Sequence, residues 1–525
     1  MKKFNQLRCC AYVLLVIFTA IFSSAHAQEL KLGMKSPVDL VSVRGGFPNP
    51  SVVEHIYDPL ICVDAAGVIS ACLAQSWKMI DPLTWEFKLR KGVKFHNGQE
   101  FTAEDAIWTL NKITKAYGEG DGVKLSKESK EAKEGNFLVD KYTIRLVLGT
   151  PTPNLLSQLS NIPMKSKLVE KASDTEVIGT GPYKFVKPAK KDFVQLERNE
   201  EYWQMNPSVW KKVSMSFIPD VNARLKALLA GQLDAMEDVP MAEVEKLRSN
   251  PLFSLVSKTS GRFIFLGLDI DRSRSPFVFD KTGAVLDKNP LKNIKVRQAI
   301  SLAIDREMIR DQVMKGLSEP TNNFVKPTSP AFSDKNKAIR FNVLEAKKLL
   351  NDAGYKDGFK LTLHGSSNNY VNDTKVLQAI AEMLNAIGIT ATAESSTMDK
   401  FLQRGRSRQF SAMLLGWNAI DADPMALLTE IAFCEPLRDK SKGEQDNNNW
   451  ARYCNDKVDV AIKAAMRARS EKEHMQALKE AYGLVINDAA YIPIHQQMNS
   501  WVVSKKLRFV TRNDDKTHAF NFFQK

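Results

Sequence analysis

Residues 57–113 read YDPLICVDAAGVISACLAQSWKMIDPLTWEFKLRKGVKFHNGQEFTAEDAIWTLNKI. Within this stretch residues 84–90 alternate strictly, with Trp85, Phe87 and Leu89 on one side and Thr84, Glu86, Lys88 and Arg90 on the other. A period of two marks a half-buried strand. Asn97-Gly98 supplies a turn, and Thr102 followed three residues later by Asp105 reads as a helix start. The helix that follows carries Ala106, Ile107 and Leu110 inward. Hairpin, strand, turn and capped helix follow from local chemistry alone.

Working outward, the first 27 residues read as an export signal. Lys2, Lys3 and Arg8 precede an apolar run over residues 11–22, and Ala25-His26-Ala27 offers a small-x-small cleavage site. The run of about 12 residues is short of the roughly 20 that a membrane-spanning helix needs. Cys9 and Cys10 precede that run, in the wrong place for lipid attachment. The expectation is a soluble periplasmic protein. Cleavage after Ala27 leaves 498 of 525 residues, beyond the roughly 250–300 at which one core stops growing, so two lobes are expected. The net charge of +14 falls to +11 with the three basic residues of the signal. Basic residues alternate with acidic ones, as in KLSKESKEAKEG (124–135), which reads as solvated surface rather than a nucleic-acid face. Four cysteines remain, Cys62, Cys72, Cys434 and Cys454. An even count in an oxidising compartment favours the near pairs 62–72 and 434–454, with two free buried thiols as the alternative for the first. None sits in a zinc-ligand spacing.

Strand-like and helical segments alternate along the whole chain, which makes the class α/β. YTIRLVL (142–148) alternates; Tyr183 restarts a strand after the tight glycines of IGTGPYKF (178–185). Asp220 opens a helix that stops at Gly231. RFIFLGLD (262–269) reads as a short buried strand, and VRQAISLAIDREMI (296–309) as helix with a second start at Asp305. From Phe359 a strand–helix–strand–helix–strand order appears: Phe359, Leu361 and Leu363; a helix capped by Asp373; residues 389–393; a helix from Thr397; and residues 411–415, ending at Gly416-Trp417. That is the grammar of a parallel sheet, in which ligands sit beyond the carboxyl ends of strands. The loops 364–373 and 416–424 are therefore the candidate site.

The segment 57–113, together with IGTGPYKF and the central 262–309 region, closely resembles the family 5 periplasmic solute-binding proteins of ABC importers, the dipeptide, oligopeptide and nickel class. The resemblance covers nearly the whole mature chain. It implies a two-lobed periplasmic-binding-protein fold, a hinged trap of the large cluster with an extra subdomain in lobe one. Lobe one would span 28–263 plus 497–525, with an insertion over about 61–190, and lobe two 264–496. It further implies a monomeric receptor that hands a small-molecule solute to a membrane permease, and a stapled loop at Cys434 and Cys454. In relatives that bind dipeptides, an aspartate three residues after the late-strand tryptophan meets the peptide ammonium; here that tryptophan is Trp417 and the third residue is Ile420. The relatives' carboxylate-binding arginine falls on Asn368 or Asn369. Both ionic anchors are replaced, and an unpartnered buried ligand charge would cost several kcal/mol. Expected contacts are then Trp417 as an apolar wall, Asn418 beside it, Asp421 for an ammonium with Asp423 behind it, Asn369 and Tyr370 as hydrogen-bonding groups, and Gly45, Gly46 and Phe47 from VRGGFPNP (43–50).

Two other chemistries are weaker. Ser208 and Lys211 match SxxK, and residues 281–283 match KTG, the marks of serine acyl-enzymes. No SDN accompanies them, the serine precedes a strand (VSMSFI) rather than opening a helix, and DKTGAVLD reads as a turn. No GxSxG, HExxH, P-loop or GxGxxG is present. The histidines 55, 96, 364, 474, 495 and 518 are scattered, so the expectation is no catalytic residue, no metal and no cofactor; a metal- or haem-capturing relative is the remaining alternative.

Overall fold

The computed structural model describes residues 29–36, 50–64, 68–81, 83–117, 136–149, 152, 155–170, 177–190, 192–205, 210–333, 340–367, 369–418, 424–434, 448–468 and 470–525. The export signal, Gly45, Gly46, Phe47, Ser208, Asn368, Ile420, Asp421 and Asp423 lie outside the described residues. The opening stretch forms as its pattern predicts. Thr84–Leu89 pairs antiparallel with Ala74–Asp81 on one side and Thr143–Val147 on the other. Phe87 and Leu89 are buried, and Trp85 leans on the same core as Ala106 and Leu110. The helix Ala103–Tyr117 starts where expected. The Asp105 carboxylate reaches back to the Thr102 amide at 3.0 Å and its hydroxyl at 3.2 Å, and also takes the Lys167 amide at 3.1 Å. One buried carboxylate thus ties the first turn to a segment 62 residues away.

Five strands and two helices carry the later half: β1 (Phe253–Leu268), β2 (Lys360–Ser366), α1 (Asp373–Asn385), β3 (Thr390–Ser396), α2 (Met398–Arg406), β4 (Ala412–Asn418) and β5 (Tyr491–Ser504). β2 runs parallel to both β3 and β4, as the sequence order predicts. Three boundaries differ from the pattern reading. β2 continues through His364, Gly365 and Ser366, all buried, so its loop is shorter than 364–373. β4 continues through Trp417 and Asn418, because Phe263 and Arg262 of β1 extend the ladder opposite them. β1 is 16 residues long, twice the stretch that hydrophobicity marks, since residues 253–259 are half-exposed and paired with β5 instead. Asp373 is the first residue of α1 rather than its cap; its carboxylate instead takes the amides of Asn369 and Tyr370 and the Ser366 hydroxyl.

Period two gives each face of the β1–β4 ladder its own core. Phe263, Phe265, Met413 and Leu415 face one, with Leu427, Tyr482 and Tyr491. Ile264, Leu266, Leu268 and Leu414 face the other, with Leu361, Leu377 and Ile380. Three further cores are built from residues 30–247 with contributions from Leu317 and 501–522. The two groups of cores form two lobes, and β1 and β5 run side by side from one to the other. Their register breaks between Thr259 and Phe263. Amino-terminal to that break on β1, the paired part of β5 joins the strand Ala235–Glu237. Beyond it, β1 joins β4. Both near cysteine pairs are disulfides, Cys62–Cys72 and Cys434–Cys454, with Cα atoms 5.1 and 5.0 Å apart.

Candidate functional site

The register break is where polar side chains from distant parts of the chain converge. Arg262 of β1 faces Asn418 at the carboxyl end of β4, and Asn499 of β5 lies opposite Lys258. The carboxylate of Asp515, on the closing segment of the chain, gathers three of these. It accepts from Asn499 Nδ2 at 2.5 Å and Asn418 Nδ2 at 2.9 Å, and pairs with Arg262 Nη2 at 3.3 Å. Asp515 has φ 59°, a left-handed backbone that aims its side chain back across the strands. The Arg262 guanidinium lies 5.7 Å from the centre of the Tyr370 ring, a cation–π distance. Tyr370 donates its hydroxyl to the Gly416 carbonyl at 3.3 Å, which joins the two loops at the ends of β2 and β4. Burial pushes the Tyr370 phenol up, opposed by a backbone hydrogen bond with Gly416 and by the Arg262 charge. Lys35 adds a cation from the amino-terminal segment; its ammonium sits 3.4 Å from Asp238, which with Glu237 and Asp515 holds it above its ordinary value.

Of the predicted residues, the structure brings Asn418 and Tyr370 together around Arg262 and Asp515, with exposed Asn369 beside them. Asn418 Oδ1 is buried without a hydrogen-bond partner among the described residues. Trp417 stands apart from that group. It pairs with Phe263 and leans on the core of the opposite face of the sheet, half-buried. His364 is fully buried within β2, between Phe277 and Phe410 and beside Arg404 and Glu394, away from the loop. The sequence reading missed Arg262 and Asp515. The one visible signal is a charged residue heading an otherwise apolar strand; nothing local links it to a carboxylate 253 residues later.

A separate cavity of about 190 Å³ borders the closing segment. Glu54, Asp58, Tyr202, Arg512, Asp514 and Lys516 line it; Trp417, Asn418, Asn369 and Tyr370 do not. Its charges are matched from within: Arg512 forks onto Asp514, Lys516 meets Glu54, and Asp58 accepts from Trp203, Tyr202 and Thr180. Burial pushes the Asp58 carboxyl up against those donors. The KTG motif forms an exposed turn around the Asp280 carboxylate, which takes the Thr282 hydroxyl and two amides. Among the described residues no group of three His, Cys, Asp or Glu side chains is placed to hold a metal ion, and no helix is long and apolar enough to cross a membrane.

Residues 68–437 match the family model of the bacterial extracellular solute-binding proteins, family 5. The chain belongs to this family. Family 5 members are solute receptors of ABC transporters rather than enzymes. Heme-binding protein A of Haemophilus influenzae is 24% identical over 490 residues, covering 87% of this chain and 84% of the relative. Di/tripeptide-binding protein 1 of Pseudomonas aeruginosa is 24% identical over 494 residues, covering 88% and 87%. Among solved structures, the periplasmic binding protein DppA of Helicobacter pylori, in complex with the peptide STSA, superposes with a TM-score of 0.72 at 24% identity, covering 94% of this chain and 98% of that one. The two-lobed periplasmic-binding-protein fold is thereby established for this chain.

Proposed function

We propose that this family 5 receptor captures a peptide-like or other small polar organic solute between its lobes and delivers it to the membrane permease of an ABC importer. Lobe one comprises residues 28–263 and 497–525 with an insertion over about 61–190; lobe two comprises 264–496. The solute binds beyond the carboxyl ends of β2 and β4, against Asn418, Tyr370 and Asn369. Trp417 and Asp421 flank them, and Gly45, Gly46 and Phe47 approach from lobe one. The observation that carries this reading is the convergence of side chains from β4 and from both linking strands on Asp515 of the closing segment. Work is done by ligand-stabilised closure, with no covalent step, by a monomer on the outer side of the cytoplasmic membrane. Small-angle scattering tests this: the correct solute lowers the radius of gyration, and Asn418→Ala and Trp417→Ala weaken binding while leaving the thermal transition in place. Unchanged affinity in both variants refutes the site. Labelling of Ser208 by a fluorescent penicillin refutes the receptor-only reading.

A further inference from the structure

Among the described residues, the convergence point holds more positive charge than its carboxylates neutralise. Arg262 pairs with Asp515. Lys35 has its own acid in Asp238. Lys258 and Lys326 have neither an ion pair nor a side-chain hydrogen bond among the described residues. Lys258 shares a face of the ladder with Asn499, the residue that reaches Asp515. Lys326 is set by the strand Ser318–Pro320, which pairs with β5 at residues 495–497, and by Phe324, whose ring stands edge-on to Phe265 at 5.2 Å. The Lys326 residue is half-buried. Burial pushes it down and Lys258 repels it, while Asp515 pulls it back up. Among the described residues, a single carboxylate therefore serves Arg262, Asn418 and Asn499 and is the counter-charge felt by Lys326. A partly desolvated ammonium without a partner is unfavourable unless another anion meets it.

Resting on the cleft reading above, we propose that the solute is an anion whose carboxylate enters between Arg262, Lys258 and Lys326, competing with the Asp515 carboxylate for the Arg262 guanidinium. This places carboxylate recognition on the linking strands, far in sequence from Asn368 and Asn369. The planar fork of Arg262 fits a carboxylate with two parallel hydrogen bonds. The amide edge of Asn418, whose Oδ1 is unsatisfied, stands beside it to accept a donor from the same solute.

The test is calorimetric titration of the full-length mature protein with a set of di- and tripeptides and small organic acids, each as free acid and as carboxamide. Free acids are expected to bind at least tenfold more tightly than their amides, with an affinity that falls as salt rises. Arg262→Gln and Lys326→Met each lower acid affinity tenfold or more and leave amide affinity within about twofold. Asp515→Asn, which removes the competing charge while keeping one of the two acceptor oxygens that Asn418 and Asn499 use, tightens acid binding several-fold. Thermal melts establish that each variant is folded, and Lys326→Met, on a surface turn, carries the test if Arg262→Gln does not fold. Equal affinity for acid and amide with normal lobe closure in scattering overturns the anion assignment and leaves the receptor reading standing. Weaker binding in Asp515→Asn overturns it too, since that marks Asp515 as a partner for an ammonium. Lobe closure on none of these solutes counts against both.

Discussion

His495 lies on β5 opposite Ile264 and Pro320, 1% exposed, and neither ring nitrogen has a hydrogen-bond partner among the described residues. Burial pushes its pKa down to about 3 from an ordinary value of 6.5. The native ring therefore stays neutral where the unfolded chain takes up a proton. Its stabilising contribution is complete above pH 6.5 and is lost as pH falls from there toward 3. At pH 5 the unfolded state has gained about 1.5 pH units of proton uptake, worth about 2 kcal/mol at 1.36 kcal/mol per unit. His495→Leu removes that dependence and two unsatisfied polar atoms, with an apolar side chain of similar size. The variant should match or exceed the parent in urea unfolding at pH 7.5, and its advantage should widen by about 2 kcal/mol at pH 5. His55 and His364, held to about 3 and about 4 chiefly by burial, act in the same sense. Asp58 and Glu237, whose carboxyls burial pushes up, act in the opposite one. The comparison is therefore between variant and parent at each pH. A gap that stays constant from pH 7.5 to 5 refutes the reasoning.

Other consequences are open to direct measurement. A methyl group at Gly416 would lie 2.5 Å from the Tyr370 ring and 3.0 Å from Ile264. Gly416→Ala should therefore cost about 1–3 kcal/mol in denaturant unfolding and weaken solute binding; wild-type values in both would show that the ring has room to move. Asp105→Ala leaves the Thr102 and Lys167 amides without their acceptor and should destabilise by about 2–3 kcal/mol, read from the urea midpoint. Replacing Cys434 and Cys454 together by serine removes a link spanning 20 residues, worth about 3 kcal/mol in the chain-entropy account; a melting temperature equal to the parent under oxidising conditions would contradict it.

What was legible in the sequence was what is local. The alternation over 84–90, the Thr102–Asp105 pair and the strand–helix order after residue 359 depend on neighbours a few positions apart, and all three formed as read. Boundaries drifted where long-range pairing overrode local pattern. Asn418 is polar yet belongs to a strand because Arg262 completes its ladder, and residues 253–259 are strand because β5 holds them. Asp373 reads as a cap, but its carboxylate turns back to hold the loop before it. The Arg262–Asp515 pair was invisible because neither residue has an informative neighbour; only the return of the chain brings them within 3.3 Å.

That return has a consequence for how the polypeptide is assembled. The strand Ala235–Glu237 pairs with Glu29–Met34 on one side and gains its second neighbour in residues 501–503, and the core holding Leu30, Leu32 and Val213 is completed by Trp501, Val503, Ala519 and Phe522. The body made first during synthesis is thus finished last, after the intervening body has closed its own two cores from a continuous stretch. Loss of the final 25 residues would strip a wall from the earliest-made half and leave the later-made half whole.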